Sequence, residues 1–175
     1  MKSNRYILIT ALAGLLMALT ASASAQMSYD STVLEKTVQL NSQGEYEGQF
    51  DTLIAAIESA DPVVQEVLAD PESNITVFAP TDEAFSEIGV DETNVDQLSE
   101  QQLTQILVYH VSDGAKTAEE VMDTESIDTI DGQTIMVQEG VLVDQAGGQA
   151  NITATDVQAS NGVIHVIDSV LMPGQ

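Results

Sequence analysis

The chain has 175 residues, with 28 Asp and Glu against four Lys and Arg and a formal charge of −24. That balance excludes a nucleic-acid role, which needs a cationic footprint for the phosphate backbone, and it sets the chain against anionic membrane surfaces. The absence of cysteine excludes a disulfide framework and thiol chemistry.

Met1 to Ala25 reads as a separate object. Lys2 and Arg5 make a positive start, Tyr6 to Leu19 is apolar, and Ala23-Ser24-Ala25 is a small-residue cleavage site, the three parts of a secretory signal peptide. The apolar stretch falls short of the roughly 20 residues a membrane span needs. Removing 25 of 175 residues leaves 150, one domain's worth. Only Lys36 and Lys116 then remain against 28 acids, a charge of −26. Such a shell repels itself and is screened by strong salt, where the Debye length shrinks to roughly 3 Å. The expectation is an exported protein from a salt-rich setting, against the alternative of an ordinary acidic secreted protein, with a surface at which divalent cations could gather diffusely.

Residues 26–30 form a loose, flexible start, and a single domain is expected over 31–173. Thr32 to Leu40 reads as a helix with Val33, Leu34 and Val38 inward. Phe50, Leu53, Ile54 and Ile57 follow the i, i+3, i+4, i+7 spacing of a core-facing helix. Asp61-Pro62 supplies an N-cap and a first-turn proline for a third helix, with Val63, Val64, Val67 and Leu68 as its apolar stripe. Ile75 to Ala79 is β-branched and aromatic, a short half-buried strand that Pro80 should stop. Thr81 caps the next helix, Asp82 and Glu83 suit its dipole, and Ala84, Phe85 and Ile88 share one face.

Val90 to Asp96 is an acidic connector. Ser99 with Gln102 and Thr117 with Glu120 are capping boxes for two more helices, the first carrying Leu103, Ile106 and Leu107 inward. Tyr109-His110 leads to a turn at Asp113-Gly114. From Ser126 the period changes to strands: Ile127 to Ile130 and Gln133 to Val137 flank the hairpin signal Asp131-Gly132, and Val141 to Val143, Ile152 to Val157 and Val163 to Leu171 follow. Gly162, after Asn161, is expected to need positive φ. Helices first and strands last make the class α+β.

Three segments stand out together: T-V-F-A-P-T-D-E-A-F with Thr76, Phe78, Pro80, Thr81 and Phe85; Tyr109-His110; and N-G-V-I-H-V-I-D with Asn161, Gly162, His165 and Asp168. In this order and separation they resemble the first conserved block, the Tyr-His motif and the second conserved block of a fasciclin domain, and the likeness covers Ser31 to Pro173. It implies a small β-sandwich or wedge with helices packed at one end. It also implies that the strand from Ile75 pairs with the C-terminal strands. In animal members the Tyr-His motif flanked by bulky residues, here Leu107, Val108 and Val111, is linked with integrin recognition. A second adhesion element there, an Asp-Ile pair, corresponds to Asp156-Val157, with Val for Ile and Thr155 in place of the usual proline. The competing reading is structural: tyrosine and histidine support the core, and Asp156 ends a strand.

No catalytic constellation emerges. The two histidines, His110 and His165, lack the H-x-E or H-E-x-x-H spacing of a metal site, and no G-x-S-x-G elbow or glycine-rich phosphate loop exists. His165 and Asp168, three apart on a strand, would face opposite ways, so a triad would need Ser160 or Ser169 to fit by chance. Both histidines are expected to be buried, neutral and structural, and no cofactor is expected. Asn74-Ile75-Thr76 and Asn151-Ile152-Thr153 match the N-glycosylation acceptor pattern. The resulting expectation is an exported, non-catalytic adhesion or matrix-binding module for an extracellular protein or glycan, or for a copy of itself. The alternatives are a carrier of a small apolar or cationic ligand, and an unrecognised hydrolase.

Overall fold

The computed structural model describes residues 31–174, so the expected leader and the segment 26–30 lie outside the described residues. Six helices come from the expected signals: α1 (Val33–Ser42), α2 (Asp51–Ser59), α3 (Pro62–Ala69), α4 (Asp82–Glu87), α5 (Glu100–Tyr109) and α6 (Ala118–Asp123). Both predicted capping boxes close, and a third forms at α1 between Thr32 and Glu35. α2 is the exception. Its N-cap, Phe50, offers no side-chain acceptor, and the Asp82 carboxylate reaches across from α4 to accept from the N–H groups of Asp51 (3.2 Å) and Thr52 (2.8 Å).

Seven strands, β1 (Ile75–Pro80), β2 (Val111–Asp113), β3 (Ser126–Asp128), β4 (Thr134–Gln138), β5 (Val141–Val143), β6 (Gln149–Ala159) and β7 (Gly162–Ile167), pair in the order β2-β1-β7-β6-β5-β4-β3. β1 and β7 run parallel in the register Ile75↔Gly162 to Pro80↔Ile167. The two ends of the sheet meet through a Ser112↔Thr129 bridge and a bond from the Ile130 N–H to Val111 O of 2.9 Å, so the sheet closes on itself. The architecture is α+β: a barrel-like mixed sheet with the helices against one side.

Two apolar clusters follow. One lies between the helices and β1–β7, around Phe50, Leu53, Phe85, Leu103 and Ile164. The other fills the sheet interior with Phe78, Tyr109, Ile127, Ile135, Leu142, Ile167 and Leu171. β1 and β7 are therefore buried on both faces, which explains their unbroken apolar runs, whereas β4 alternates inward and outward.

Several local expectations need correction. Val38, Val63 and Ile88 are exposed. In α1 Thr37 takes the buried position and bonds back to Val33 O, and Ile88 lies past the end of α4. β1 runs through Pro80, whose partner position is Ile167, because a proline at the strand's last residue forfeits one N–H only. β7 stops at Ile167 rather than Leu171, because the chain then turns to cover the sheet interior with Leu171. β3 ends at Asp128, and the β3–β4 connection spans Thr129 to Gln133 rather than a two-residue turn. Two-residue turns occur instead at Glu139-Gly140, with φ of 52° and 82°, and at Ser160-Asn161 between β6 and β7. β2 was not foreseen.

Candidate functional site

Tyr109 and His110 end α5, and both are shut inside, 0% and 3% exposed. The Tyr109 hydroxyl donates to Thr134 O (3.2 Å) and accepts from the Gln145 N–H (3.3 Å), and burial holds its pKa above the ordinary phenol value. His110 Nδ1 lies 2.7 Å from Ile106 O, and its Nε2 accepts from the Leu171 N–H at 3.0 Å. The ring is thus a neutral imidazole, donor on one side and acceptor on the other, and burial pushes its pKa down to about 4. Neither side chain is open to direct contact by a partner, so any part of this motif in recognition runs through the elements it positions.

Their neighbour is a residue that sequence reasoning passed over. Asp144, 6% exposed, closes the β5–β6 hairpin by accepting from the Gly148 N–H (2.7 Å), and its other oxygen accepts from the Met172 N–H (2.8 Å). Gln133 Oε1 accepts from the Gly174 N–H (2.8 Å). Leu171, Met172 and Gly174 are therefore each held by a side chain from a different element. One acid among 28 carried no mark in the sequence; the only hint was Asp-Gln-Ala-Gly-Gly, an Asp opening a glycine turn.

The second histidine organises another cluster. His165 stacks on Phe78 with ring centroids 5.8 Å apart. Its Nε2 donates to Lys116 O (3.0 Å), and its Nδ1 accepts from the Asp156 N–H (3.3 Å). Burial lowers its pKa, so it too is neutral. Thr76 donates to Gly114 O (2.7 Å) and accepts from the Lys116 N–H (2.8 Å), and Asn74 Oδ1 accepts from the Ala115 N–H (3.1 Å). Together these groups tie the segment before α6 onto β1 and β7.

Asp156 is the one surface member of the predicted recognition set. It sits at an irregularity of β6 with φ of 58°, a left-handed conformation. Its Oδ1 accepts from the Ala118 N–H (2.9 Å) at the start of α6, while Val157 is half-buried. Asp156→Val is expected to cost about 2 kcal/mol, because a β-branched residue resists positive φ and the helix loses an acceptor. Asp156→Asn, which tolerates that φ and keeps an acceptor, is expected to stay within about 0.5 kcal/mol of wild type. Urea unfolding of both variants checks this, and equal losses would remove the backbone explanation.

The remaining predicted positions are scaffold. Buried Asn161 accepts from the Val33 N–H (2.7 Å) and donates to Leu68 O (3.1 Å) and Asp70 O (2.8 Å), joining α1 and the end of α3 to the β6–β7 turn. Gly162 does not have positive φ, correcting that expectation; the reason for glycine is space, since a Cβ there would lie 2.1 Å from Ile75 O. Asp168 lies past β7 and binds the backbone and amide of Asn151 at 2.7 and 2.9 Å, so it does not share a strand with His165. Thr81 caps α4, Phe85 is buried, and Ser169 donates to Glu87 (3.3 Å) rather than to a histidine. Among the described residues no three His, Cys, Asp or Glu side chains gather as a metal site, and no helix is long and apolar enough to cross a membrane. Asn74 and Asn151 are both exposed.

Residues 48–173 match the fasciclin domain family. Protein sll1483 of Synechocystis sp. is 40% identical over 128 residues, covering 71% of this chain and 67% of that protein. The transforming growth factor-beta-induced protein ig-h3 of Sus scrofa is 32% identical over 129 residues, covering 74% of this chain and 18% of that protein. A solved FAS1 domain pair from the insect cell adhesion molecule Fasciclin I aligns with a TM-score of 0.63 at 20% identity, covering 81% of this chain and 51% of that chain.

Proposed function

The chain belongs to the fasciclin-domain family, and from that premise we propose that it is an exported, non-catalytic binding module for an extracellular protein or glycan. The observation that carries this reading is where the conspicuous side chains point. Tyr109, His110, Thr76, Asn161 and His165 are all buried and bonded to backbone, so they hold the scaffold and leave recognition to the exterior. Among the described residues neither histidine bonds to a hydroxyl or a carboxylate side chain, which disfavours the hydrolase alternative. At the surface, the displayed corner at Asp156 is the proposed contact, with Tyr109 and His110 acting only through the elements they position. The domain is proposed to span 31–173: α1 precedes the family match, yet the Val33 N–H is bonded to Asn161 and the Ser160 N–H to Ser31 O.

Envelope or matrix fractions from the native host, presented to the immobilised chain in high salt, test the reading. Saturable capture that falls several-fold in Asp156→Asn, at unchanged melting temperature, is the expected result. Absence of capture by wild type would remove the adhesion role, and equal capture by the variant would move the contact away from Asp156.

The acidic shell and the expected leader support export into a salt-rich medium. With 28 acids and few cations to pair them, screening should relieve repulsion in the folded state more than in the expanded chain. Raising sodium chloride from dilute buffer to molar is therefore expected to raise the melting temperature by about 5 °C or more. A flat calorimetric response would sink the halophilic reading.

A further inference from the structure

On the side of α5 facing the chain end lies a groove of about 480 Å³, walled by Ile88, Val90, Leu98, Ile106 and Met172. Among the described residues its polar members are the amides of Gln102 and Gln105, and none of those lining it carries a charged side chain, in a chain with 28 acids. Ile88 is 42% exposed, so apolar surface is presented to solvent here. The wall formed by Met172, Pro173 and Gly174 belongs to neither helix nor strand, yet its backbone is tied to side chains. His110 Nε2 takes the Leu171 N–H, Asp144 the Met172 N–H, and Gln133 the Gly174 N–H. A groove whose shape is set before any ligand arrives binds with less ordering cost.

Charge selects the occupant. Ile88 and Val90 are flanked in the chain by Glu87 and Asp91, and the Glu87 carboxylate accepts from Ser169 just before the wall segment. The net field of the chain is strongly negative, so an apolar anion such as a fatty acid is repelled on approach, and an apolar cation is drawn in. We propose that this groove binds a hydrophobic cation, a small amphiphile bearing an amine or quaternary ammonium head. Its apolar body covers Ile88, Ile106 and Met172, and its head stays toward the acids beside Ile88. Such a ligand does not depend on the macromolecular partner proposed above: the two occupy different parts of the surface, the Asp156 corner and the α5 side.

The test titrates the chain with decyltrimethylammonium, decanol and decanoate, each below its aggregation concentration, by calorimetry and methyl NMR. One saturable site is expected, with shifts confined to the methyls of Ile88, Val90, Leu98, Ile106 and Met172 and with the cation at least about tenfold tighter than decanoate in dilute buffer. Ile88→Gln, at an exposed position that the fold does not need, is expected to weaken cation binding by about fivefold. Met136→Gln, at a 51% exposed methionine on β4 that lines no part of the groove, should leave it unchanged. Equal losses in the two variants would reveal diffuse adsorption to the acidic shell and overturn the site. Decanoate binding as tightly as the cation would overturn the ligand class.

Discussion

Gly162→Val is expected to abolish folding, and Gly162→Ala to cost about 3 kcal/mol in urea unfolding. Gly162 opens β7 opposite Ile75, where the parallel β1–β7 pairing begins. A Cβ there would lie 2.1 Å from Ile75 O and 3.0 Å from Ile75 C, and both are backbone atoms that no rotamer change can move. To admit a methyl group, the strand pair buried between the two apolar clusters must separate. The Ile75 N–H to Asn161 O bond (3.1 Å) sits at the same point and would be lost with it. Gly140 is the internal control. It has φ of 82° and open space beside it, so Gly140→Ala should cost only about 1 kcal/mol through backbone strain. If Gly162→Ala costs no more than Gly140→Ala, the steric account is wrong.

Acidification supplies the second large effect. His110 is neutral in the folded chain, with a pKa of about 4 against 6.5 for a free ring, and its Nε2 lone pair is occupied by the Leu171 N–H. Protonation would set two N–H groups against each other in a buried site. Between those pH values the unfolded chain binds the proton and the folded chain does not. The contribution is therefore fully present above about pH 6.5 and is lost progressively as pH falls toward 4. From His110 alone the loss is about 2 kcal/mol by pH 5 and about 3 kcal/mol by pH 4. His165 is shifted in the same direction by burial and adds to it. Molar salt screens repulsion among the carboxylates, so the measurement is made there to isolate the histidine contribution. Unfolding free energy measured from pH 7 to 5 in molar salt should fall steeply, and less steeply in His110→Gln. A flat or rising profile in wild type would contradict the neutral, backbone-bonded ring.

Helix starts were legible because their signals are local. Ser99 with Gln102, Thr117 with Glu120 and Asp61 before Pro62 lie within one turn of the groups they satisfy, so the sequence alone places those caps. The three signature segments were legible as a set, which located β1, the Tyr-His end of α5 and β7. Outward-facing residues misled where an apolar side chain fell at the margin of a stripe, as at Val38, Val63 and Ile88, because a helix of ten residues or fewer leaves the edge of its buried face to its neighbours. β2 escaped notice because three residues are too few to show a period.

By itself the sequence determined the succession of helices and of the longer strands, the local caps at α3, α4, α5 and α6, the family and the anionic surface, since each depends on neighbouring residues or on composition. The tertiary structure decided which polar groups matter. Asp82 caps a helix 30 residues away, Asn161 meets Val33 across 128 residues, and Asp144 and His110 grip the chain end. The closed sheet, the crowding at Gly162 and the groove beside α5 arise in the same way. Such contacts leave no periodic trace, because the residues that make them become neighbours only when the closed sheet brings distant segments together.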